Sequence, residues 1–213
     1  NSGVLTVAGA ATFAAGSGNN ITLNSANAFS TVTISTGSNV TLNDTNALDL
    51  AASTVSGTLV VTTAGNVTQS GILTVAGAAT FAAGSGNNIT LSSANNFSTV
   101  AIATGSNVTL NDANALDLAA STVSGTLTVT TAGNVTQSGI LTVAGAATFA
   151  AGSGNNITLN SANNFSTVAI ASGSNVTLND TNALDLAAST VSGTLTVTTA
   201  GNLTQSGILT VAG

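Results

Sequence analysis

Six aspartates are the only charged side chains in this chain of 213 residues, and they recur as pairs with a constant spacing. They lie in three copies of one motif, NDTNALDL at 43–50, NDANALDL at 111–118 and NDTNALDL at 179–186. Paired carboxylates are groups with which proteins bind calcium or hydrolyse a glycosidic bond. The first question is whether these residues form sites or belong to a scaffold: Asp44, Asp49, Asp112, Asp117, Asp180 and Asp185.

The missing residue types argue against most catalytic and binding chemistry. The chain has no Lys, Arg, His, Cys, Met, Trp, Tyr, Pro or Glu, so general acid–base catalysis is left to Asp alone. Zinc, copper and iron sites would lack imidazole and thiolate ligands. A formal charge of −6 without any Lys or Arg predicts repulsion from nucleic acid and from anionic membranes. We therefore expect no enzymatic activity, no catalytic residues, no cofactor, no metal site and no nucleic-acid partner.

The hydropathy pattern also bears on membranes and export. Thr, Ser, Asn and Gly interrupt every apolar stretch before it reaches the ~18 residues that a membrane-spanning helix requires, so no membrane insertion is expected. A charged segment followed by an apolar one, which marks a signal peptide, is not present. The chain begins without Met and stops inside a motif, which predicts a segment of a longer protein.

A tandem repeat organises the whole chain. The segment SGVLTVAGAATFAAGSGNNITL begins at Ser2, and near-copies begin at Ser70 and Ser138, with a fourth opening at Ser206. Self-similarity at a fixed period is typical of stacked architectures rather than of a closed globule. We therefore divide the chain into repeats at 2–69, 70–137 and 138–205, with 206–213 starting a fourth, and expect one continuous solenoid.

Differences between the repeats indicate which side chains face outward. Thr33 is replaced by Ala in the later repeats, and so is Ser35, whereas Ile34 between them stays apolar. Val60 is replaced by Thr between two apolar neighbours, whereas Val67 changes only to Leu. A polar-to-apolar exchange is tolerated on a solvated face and costly in a core. The pattern predicts short strands whose side chains alternate between core and solvent, separated by turns rich in Gly, Asn and Ser.

A finer repeat suggests how often the chain winds around. The triplet Asn-[Ile/Val/Leu]-Thr recurs at intervals of 19, 27 and 22 residues. This spacing favours three coils per 68-residue repeat, each of a little under 23 residues, over a division into four coils. The predicted fold is all-β, a parallel β-helix of nine coils, each with three short strands and three turns. Its rod would be roughly 45 Å long at the usual strand spacing.

The asparagines of these triplets are predicted to form a structural ladder. Asn tolerates turn conformations, and its amide can bond to the matching amide one coil above. Glycosylation at Asn-x-Thr is the functional alternative. The predicted ladder consists of Asn20, Asn39, Asn66, Asn88, Asn107, Asn134, Asn156, Asn175 and Asn202.

The same logic favours a structural role for the aspartates. Asp49 lies between Leu48 and Leu50, so alternation turns it outward, and Asp44 falls in an Asn-rich turn where it would cap its own backbone. A calcium site is the alternative, but the pairs recur only once per repeat and the glycine-rich GGxGxD repeat of calcium-binding β-rolls is missing. A two-carboxylate glycosidase is disfavoured because nothing else ionisable accompanies the pair.

Three segments of the sequence resemble a known class of protein. GNVTQSGILTVAGAATF, NNITLNSANNFSTVAI and NALDLAASTVSGTLTVTTAGN are similar to the tandem repeats of giant bacterial surface proteins of the filamentous haemagglutinin type. The resemblance covers essentially the whole chain. It implies a right-handed parallel β-helix, export by two-partner secretion, and a place outside the cell or on its surface. It supplies no functional residue.

Several functions fit a stacked repeat of this composition. The leading hypothesis is a structural one, a rigid protease-resistant shaft of an adhesin or filament, whose partner is itself through further repeats or end-to-end copies. A functional amyloid is a second possibility, because β-propensity is high and Pro is absent. A surface that binds a glycan, a cell-surface ligand or ice is a third. Outward Thr126, Thr128 and Thr130 could suggest such a flat face, but it would need pairs of Thr in every coil, and the predicted coils differ.

Overall fold

The computed structural model describes residues 1–213 and contains strands and turns only. No helix long and apolar enough to cross a membrane is present. The strands are β1 Thr6–Ala14, β2 Ile21–Thr36, β3 Val40–Asp44, β4 Leu48–Leu50, β5 Ser53–Val55, β6 Leu59–Thr63, β7 Val67–Gln69, β8 Leu73–Ala82, β9 Ile89–Thr104, β10 Val108–Asp112, β11 Leu116–Leu118, β12 Ser121–Val123, β13 Leu127–Thr131, β14 Val135–Gln137, β15 Leu141–Ala150, β16 Ile157–Ser172, β17 Val176–Asp180, β18 Leu184–Leu186, β19 Ser189–Val191, β20 Leu195–Thr199, β21 Leu203–Gln205 and β22 Leu209–Val211.

The strands stack in parallel into two continuous ladders that run along a rod. One ladder passes through β1, β2, β4, β7, β9, β10, β13, β15, β16, β18 and β21. The other passes through β2, β3, β6, β8, β9, β11, β14, β16, β17 and β20. Each turn of the chain contributes one rung to each ladder, which confirms the predicted all-β solenoid.

The turn is shorter than the sequence analysis predicted. From Val32 in β2 to the equivalent Val168 in β16, the first ladder rises by seven steps. Two 68-residue repeats therefore make seven turns, so one repeat makes three and a half turns of about 19 residues each. The chain forms about 11 turns, which gives a rod roughly 50 Å long at ~4.8 Å per turn.

The half turn places successive repeats on opposite sides of the rod. Val40 and its partner Leu59 belong to one sheet, and the equivalent residues one repeat later, Val108 and Leu127, belong to the other. In the third repeat, Val176 and Leu195 return to the first sheet. The 27-residue interval between Asn39 and Asn66 is thus about one and a half turns and not the single coil that the triplet spacing predicts.

The interior is a single aliphatic column with paired phenylalanines. Forty-seven buried apolar residues form one cluster. Predicted outward positions such as Ser35 and Val60 are exposed or half-buried, while their neighbours Ile34 and Leu59 are buried. Each repeat adds one edge-to-face pair of aromatic rings, with centroids 5.8 to 6.2 Å apart, between Phe13 and Phe29, Phe81 and Phe97, and Phe149 and Phe165. The alternation predicted from the repeat differences is confirmed.

A protruding loop closes one turn in each repeat. The segment AAGSGNN reverses direction at Gly84, whose φ of 83° favours glycine. The Asn87 side chain donates to the Ala83 carbonyl at 2.8 Å and holds the loop closed. Ser124 donates to the Ser85 carbonyl at 2.6 Å across 39 residues, or two turns. The loop therefore lies along the rod and ties non-adjacent turns together.

Candidate functional site

The first aspartate of each motif is buried and bonds to backbone from two directions. Asp44, Asp112 and Asp180 are each only 2 % exposed. One carboxylate oxygen of Asp112 accepts from the Asn114 backbone N–H at 3.2 Å, the turn-capping bond predicted from the sequence. The other accepts from the Phe97 N–H at 2.8 Å, on the turn below. The same bonds recur for Asp44 and Asp180, so this carboxylate joins two turns.

A register shift explains why a side chain is needed at this position. β9 advances by four residue positions from Leu91 to Asn95, while β10 covers the same distance in two, from Leu110 to Asp112. The additional residues interrupt the regular ladder, and a buried N–H without an acceptor is costly. The Asp112 carboxylate supplies an acceptor where the backbone of β10 does not.

A buried asparagine, which the alternation of polar and apolar residues does not predict, lies beside this aspartate. Asn95 is fully buried, and its side-chain oxygen accepts from the Leu73 N–H at 2.9 Å. Its side-chain nitrogen donates to the carbonyls of Leu91 at 3.4 Å and Asn111 at 3.1 Å, and Gln69 bonds to the same amide. Asn163 makes the corresponding bonds in the third repeat, and Asn27 occupies the position in the first.

A buried serine has a similar role in the strand that follows. The Ser121 hydroxyl accepts from the Ile102 N–H at 2.9 Å and donates to the Ala119 carbonyl at 2.9 Å. Ser53 and Ser189 repeat this arrangement. No buried side-chain N or O atom in the chain lacks a hydrogen-bond partner. Three polar side chains per repeat thus substitute for backbone acceptors, and we name this set the Asn–Asp–Ser corner: Asn27, Asp44 and Ser53, with Asn95, Asp112 and Ser121, and Asn163, Asp180 and Ser189.

The second aspartate of each motif lies on the surface, as alternation predicted. Asp117 is half-buried and accepts from the Thr136 hydroxyl at 3.2 Å and from the Ser138 hydroxyl. Asp49 and Asp185 make the equivalent contacts. The two aspartates of a motif therefore point to different environments. No group of three acidic, His or Cys side chains that could hold a metal is present, and no pocket opens on the surface.

The predicted asparagine residues lie in short ladders on alternating sides of the rod. Asn107 donates its side-chain and backbone N–H groups to the Asn88 side-chain oxygen, both at 3.1 Å. Asn88 in turn bonds through its backbone to the Asn66 side chain at 2.8 Å, and Thr126 closes the ladder above Asn107. The other ladders join Asn20 with Asn39 and Thr58, and Asn134 with Asn156, Asn175 and Thr194, while Asn202 precedes β21 without such a bond.

Burial of the inner carboxylates has a consequence for pH dependence. Desolvation raises the pKa of Asp44 and Asp112 above the ordinary value of 3.8, and backbone N–H groups offset some of the rise. The folded state then binds these protons more tightly than the unfolded state. The resulting stability is fully present below pH 3.8 and is lost as the pH rises through the raised pKa.

We therefore expect the solenoid to become more stable, not less, as the pH falls from neutrality toward 4. Urea unfolding followed by circular dichroism at several pH values measures this slope, because the chain has no Trp or Tyr for fluorescence. The Asp44→Asn, Asp112→Asn variant retains four surface and corner carboxylates and should show a flatter slope. An equal slope in the variant would assign the effect to general charge repulsion and contradict the prediction.

Comparison with known proteins gives a family without a known activity. No curated protein and no solved structure matches the sequence. A family model described as repeats of unknown function matches residues 1–36, 37–104, 105–172 and 173–213. These matches cover the whole chain with a period of 68 residues between the boundaries after 36, 104 and 172. The chain is a tandem β-solenoid repeat protein, and it belongs to the family of repeats of unknown function (DUF5649).

Proposed function

We infer that this chain is a segment of a rigid extracellular shaft, as in an adhesin or filament of a bacterial surface. The observation that carries the proposal is the pair of unbroken parallel ladders, which extend over about 11 turns. Of the 128 backbone hydrogen bonds in the chain, 79 belong to the strands. A repeat that stacks on copies of itself can set length without changing cross-section.

The Asn–Asp–Ser corner also supports the role of a rigid shaft. A shaft must keep its turns aligned, and the side chains of the Asn–Asp–Ser corner bond adjacent turns to each other. The chain's resemblance to filamentous haemagglutinin repeats supports a surface location and a secreted protein. Because it has no Lys or Arg, trypsin has no cleavage site, so resistance is best assessed with a protease of broad specificity such as proteinase K.

The length of the rod tests the proposal. Adding two further repeats, or 136 residues, should add seven turns and lengthen the rod by roughly 34 Å without thickening it. Small-angle scattering and negative-stain microscopy of the 213-residue chain and of the extended chain measure this increment. A globule, or a rod that thickens instead of lengthening, would refute the shaft.

The same samples address the amyloid alternative. Each rung of the solenoid pairs with residues about 19 positions away in the same chain, so folding should be independent of protein concentration. Folding that requires seeding, with a lag that shortens at higher concentration, would support amyloid assembly instead. For location, antibody labelling of intact source cells is the direct test, and labelling only after lysis would contradict an extracellular shaft.

A further inference from the structure

We propose that the rod carries two ice-binding faces, each built on a column of threonines that only the 19-residue turn brings into line. The first column, called here the threonine file, consists of Thr68, Thr90, Thr109, Thr128 and Thr148. Thr90 pairs with Thr109, Thr109 with Thr128, and Thr128 with Thr148, while the pairing of Val67 with Ile89 places Thr68 beside Thr90. Five consecutive turns therefore present Thr at the same outward position.

The predicted 23-residue coil does not produce this alignment. With coils of that length, threonines of neighbouring turns fall out of step and no flat face results. The observed register instead places them one strand spacing apart, so the file extends over roughly 20 Å. The half turn per repeat generates a second file on the opposite sheet, formed by Thr136, Thr158, Thr177 and Thr196.

The hydroxyl groups of the file are free to bind something outside the protein. Thr68 donates to Asp49 at 3.3 Å at the lower end of the file. The other four threonines of the file, Thr90, Thr109, Thr128 and Thr148, are exposed or half-buried. Their hydroxyl groups make no hydrogen bond within the chain, so they can bond to molecules in the solvent. Branching at Cβ restricts the rotamers of Thr, and the parallel ladder fixes the backbone. The file thus holds methyl and hydroxyl groups at a constant interval, and these side chains would lose little conformational entropy on binding.

The charge and composition of this face select the partner. One carboxylate borders each file, Asp49 beside Thr68 and Asp117 beside Thr136, while the other positions are uncharged. The chain offers no Lys or Arg for an anionic ligand. Sugar rings are commonly bound by stacking on exposed aromatic faces, but five of the six Phe are buried and Phe13 packs against the core. The ligand that fits the file is therefore uncharged, donates and accepts hydrogen bonds, and repeats at an interval close to the strand spacing. Ordered water in ice has these properties.

Variation between the repeats is consistent with this role. Among the outward positions, Thr33, Ser35 and Thr45 all change to Ala in at least one later repeat. The file positions keep Thr in every repeat with one exception, Val60, which stands where the later repeats have Thr128 and Thr196. Val60 also shows that an apolar residue at this position is compatible with the fold.

Ice-affinity partitioning and thermal hysteresis of the 213-residue chain test the proposal. The Thr90→Lys, Thr109→Lys, Thr128→Lys variant should lose about half of its ice-bound fraction, because the opposite file is intact and the faces act independently. Adding Thr158→Lys, Thr177→Lys and Thr196→Lys should abolish the remainder. Val60→Thr, which joins Thr22 and Thr41 to Thr80 on one sheet, should increase binding.

A matched control introduces the same charge away from the files. Ser17→Lys, Ser85→Lys, Ser153→Lys places three lysines in the protruding loops and should retain the ice binding of the unaltered chain. Circular dichroism of every variant checks that the solenoid is still folded. Exclusion of the unaltered chain from ice, equal losses in the loop and file variants, or binding to chitin or cellulose powder without binding to ice would each overturn the proposal. None of these results would bear on the shaft, whose test is the rod length.

Discussion

Replacing Asn95 with Ala is expected to destabilise the solenoid by about 3 kcal/mol, because several buried groups lose their partners at once. The Leu73 N–H would be left without its acceptor, and the carbonyls of Leu91 and Asn111 without their donor. An alanine side chain can replace none of these bonds, and the site is fully buried, so water does not reach it readily. Urea unfolding followed by circular dichroism measures the change.

The adjacent residue provides a matched control for this prediction. Asn96 is exposed, and the first repeat has Ala28 at the equivalent position. Asn96→Ala should therefore change the free energy of unfolding by no more than about 0.5 kcal/mol, as is usual for surface substitutions. Hydrogen exchange should locate the effect of Asn95→Ala in β8 and β9. Similar destabilisation by the two variants would show that the buried amide has no special role.

Local alternation was sufficient to predict the direction of most side chains. Residues such as Ile34 and Leu42 are apolar between polar neighbours, and they are buried. The same rule also placed Asp49 outward, between two leucines. These outcomes depend only on the two-residue period of a strand, which is present in the sequence itself.

The number of turns and the buried polar corner could not be obtained in that way. Alternation predicts apolar residues in the core, so Asn27 and Ser53 gave no signal of burial by type. Asn27 is buried where four residue steps of β2 stack on two of β3, and Ser53 is buried where its hydroxyl accepts from the Ile34 N–H. Both are relations between segments about 19 residues apart. One signal in the sequence does point to Asn27: it is kept in all three repeats as Asn95 and Asn163, while its neighbour Ala28 is replaced by Asn.

The half turn per repeat was missed for a related reason. A repeat in sequence fixes how often a pattern recurs, but the angle through which it turns depends on the number of residues in each rung. The triplet Asn-[Ile/Val/Leu]-Thr marks the start of a strand without stating which sheet that strand joins. Asn39 and Asn66 begin strands in opposite sheets, so counting triplets gave three coils where the chain makes three and a half turns.

Close approach of backbones on adjacent turns makes several glycines in each repeat hard to replace, and the position of Gly71 and Gly139 has the shortest contacts. A Cβ atom added at Gly139 would lie 2.1 Å from the backbone nitrogen of Ala120 and 2.6 Å from its Cα, on the turn below. Gly71 meets Ala52 in the same way, at 2.3 Å from the backbone nitrogen. These contacts are with backbone atoms rather than with the end of a flexible side chain, so only separation of the two turns can relieve them.

Gly139→Ala should therefore cost about 3 kcal/mol, at the upper end of the range for overpacking, because spreading the turns also strains the ladder bonds beside them. Gly154→Ala is the matched control, since a Cβ there meets nothing within 4 Å, and fewer unfolded conformations should leave its stability equal or slightly higher. The urea concentrations at which the two variants are half unfolded measure this difference, and the midpoint of Gly139→Ala should be the lower. If Gly139→Ala unfolds at the same urea concentration as Gly154→Ala, the turns at this corner are not held at the observed separation by the ladder.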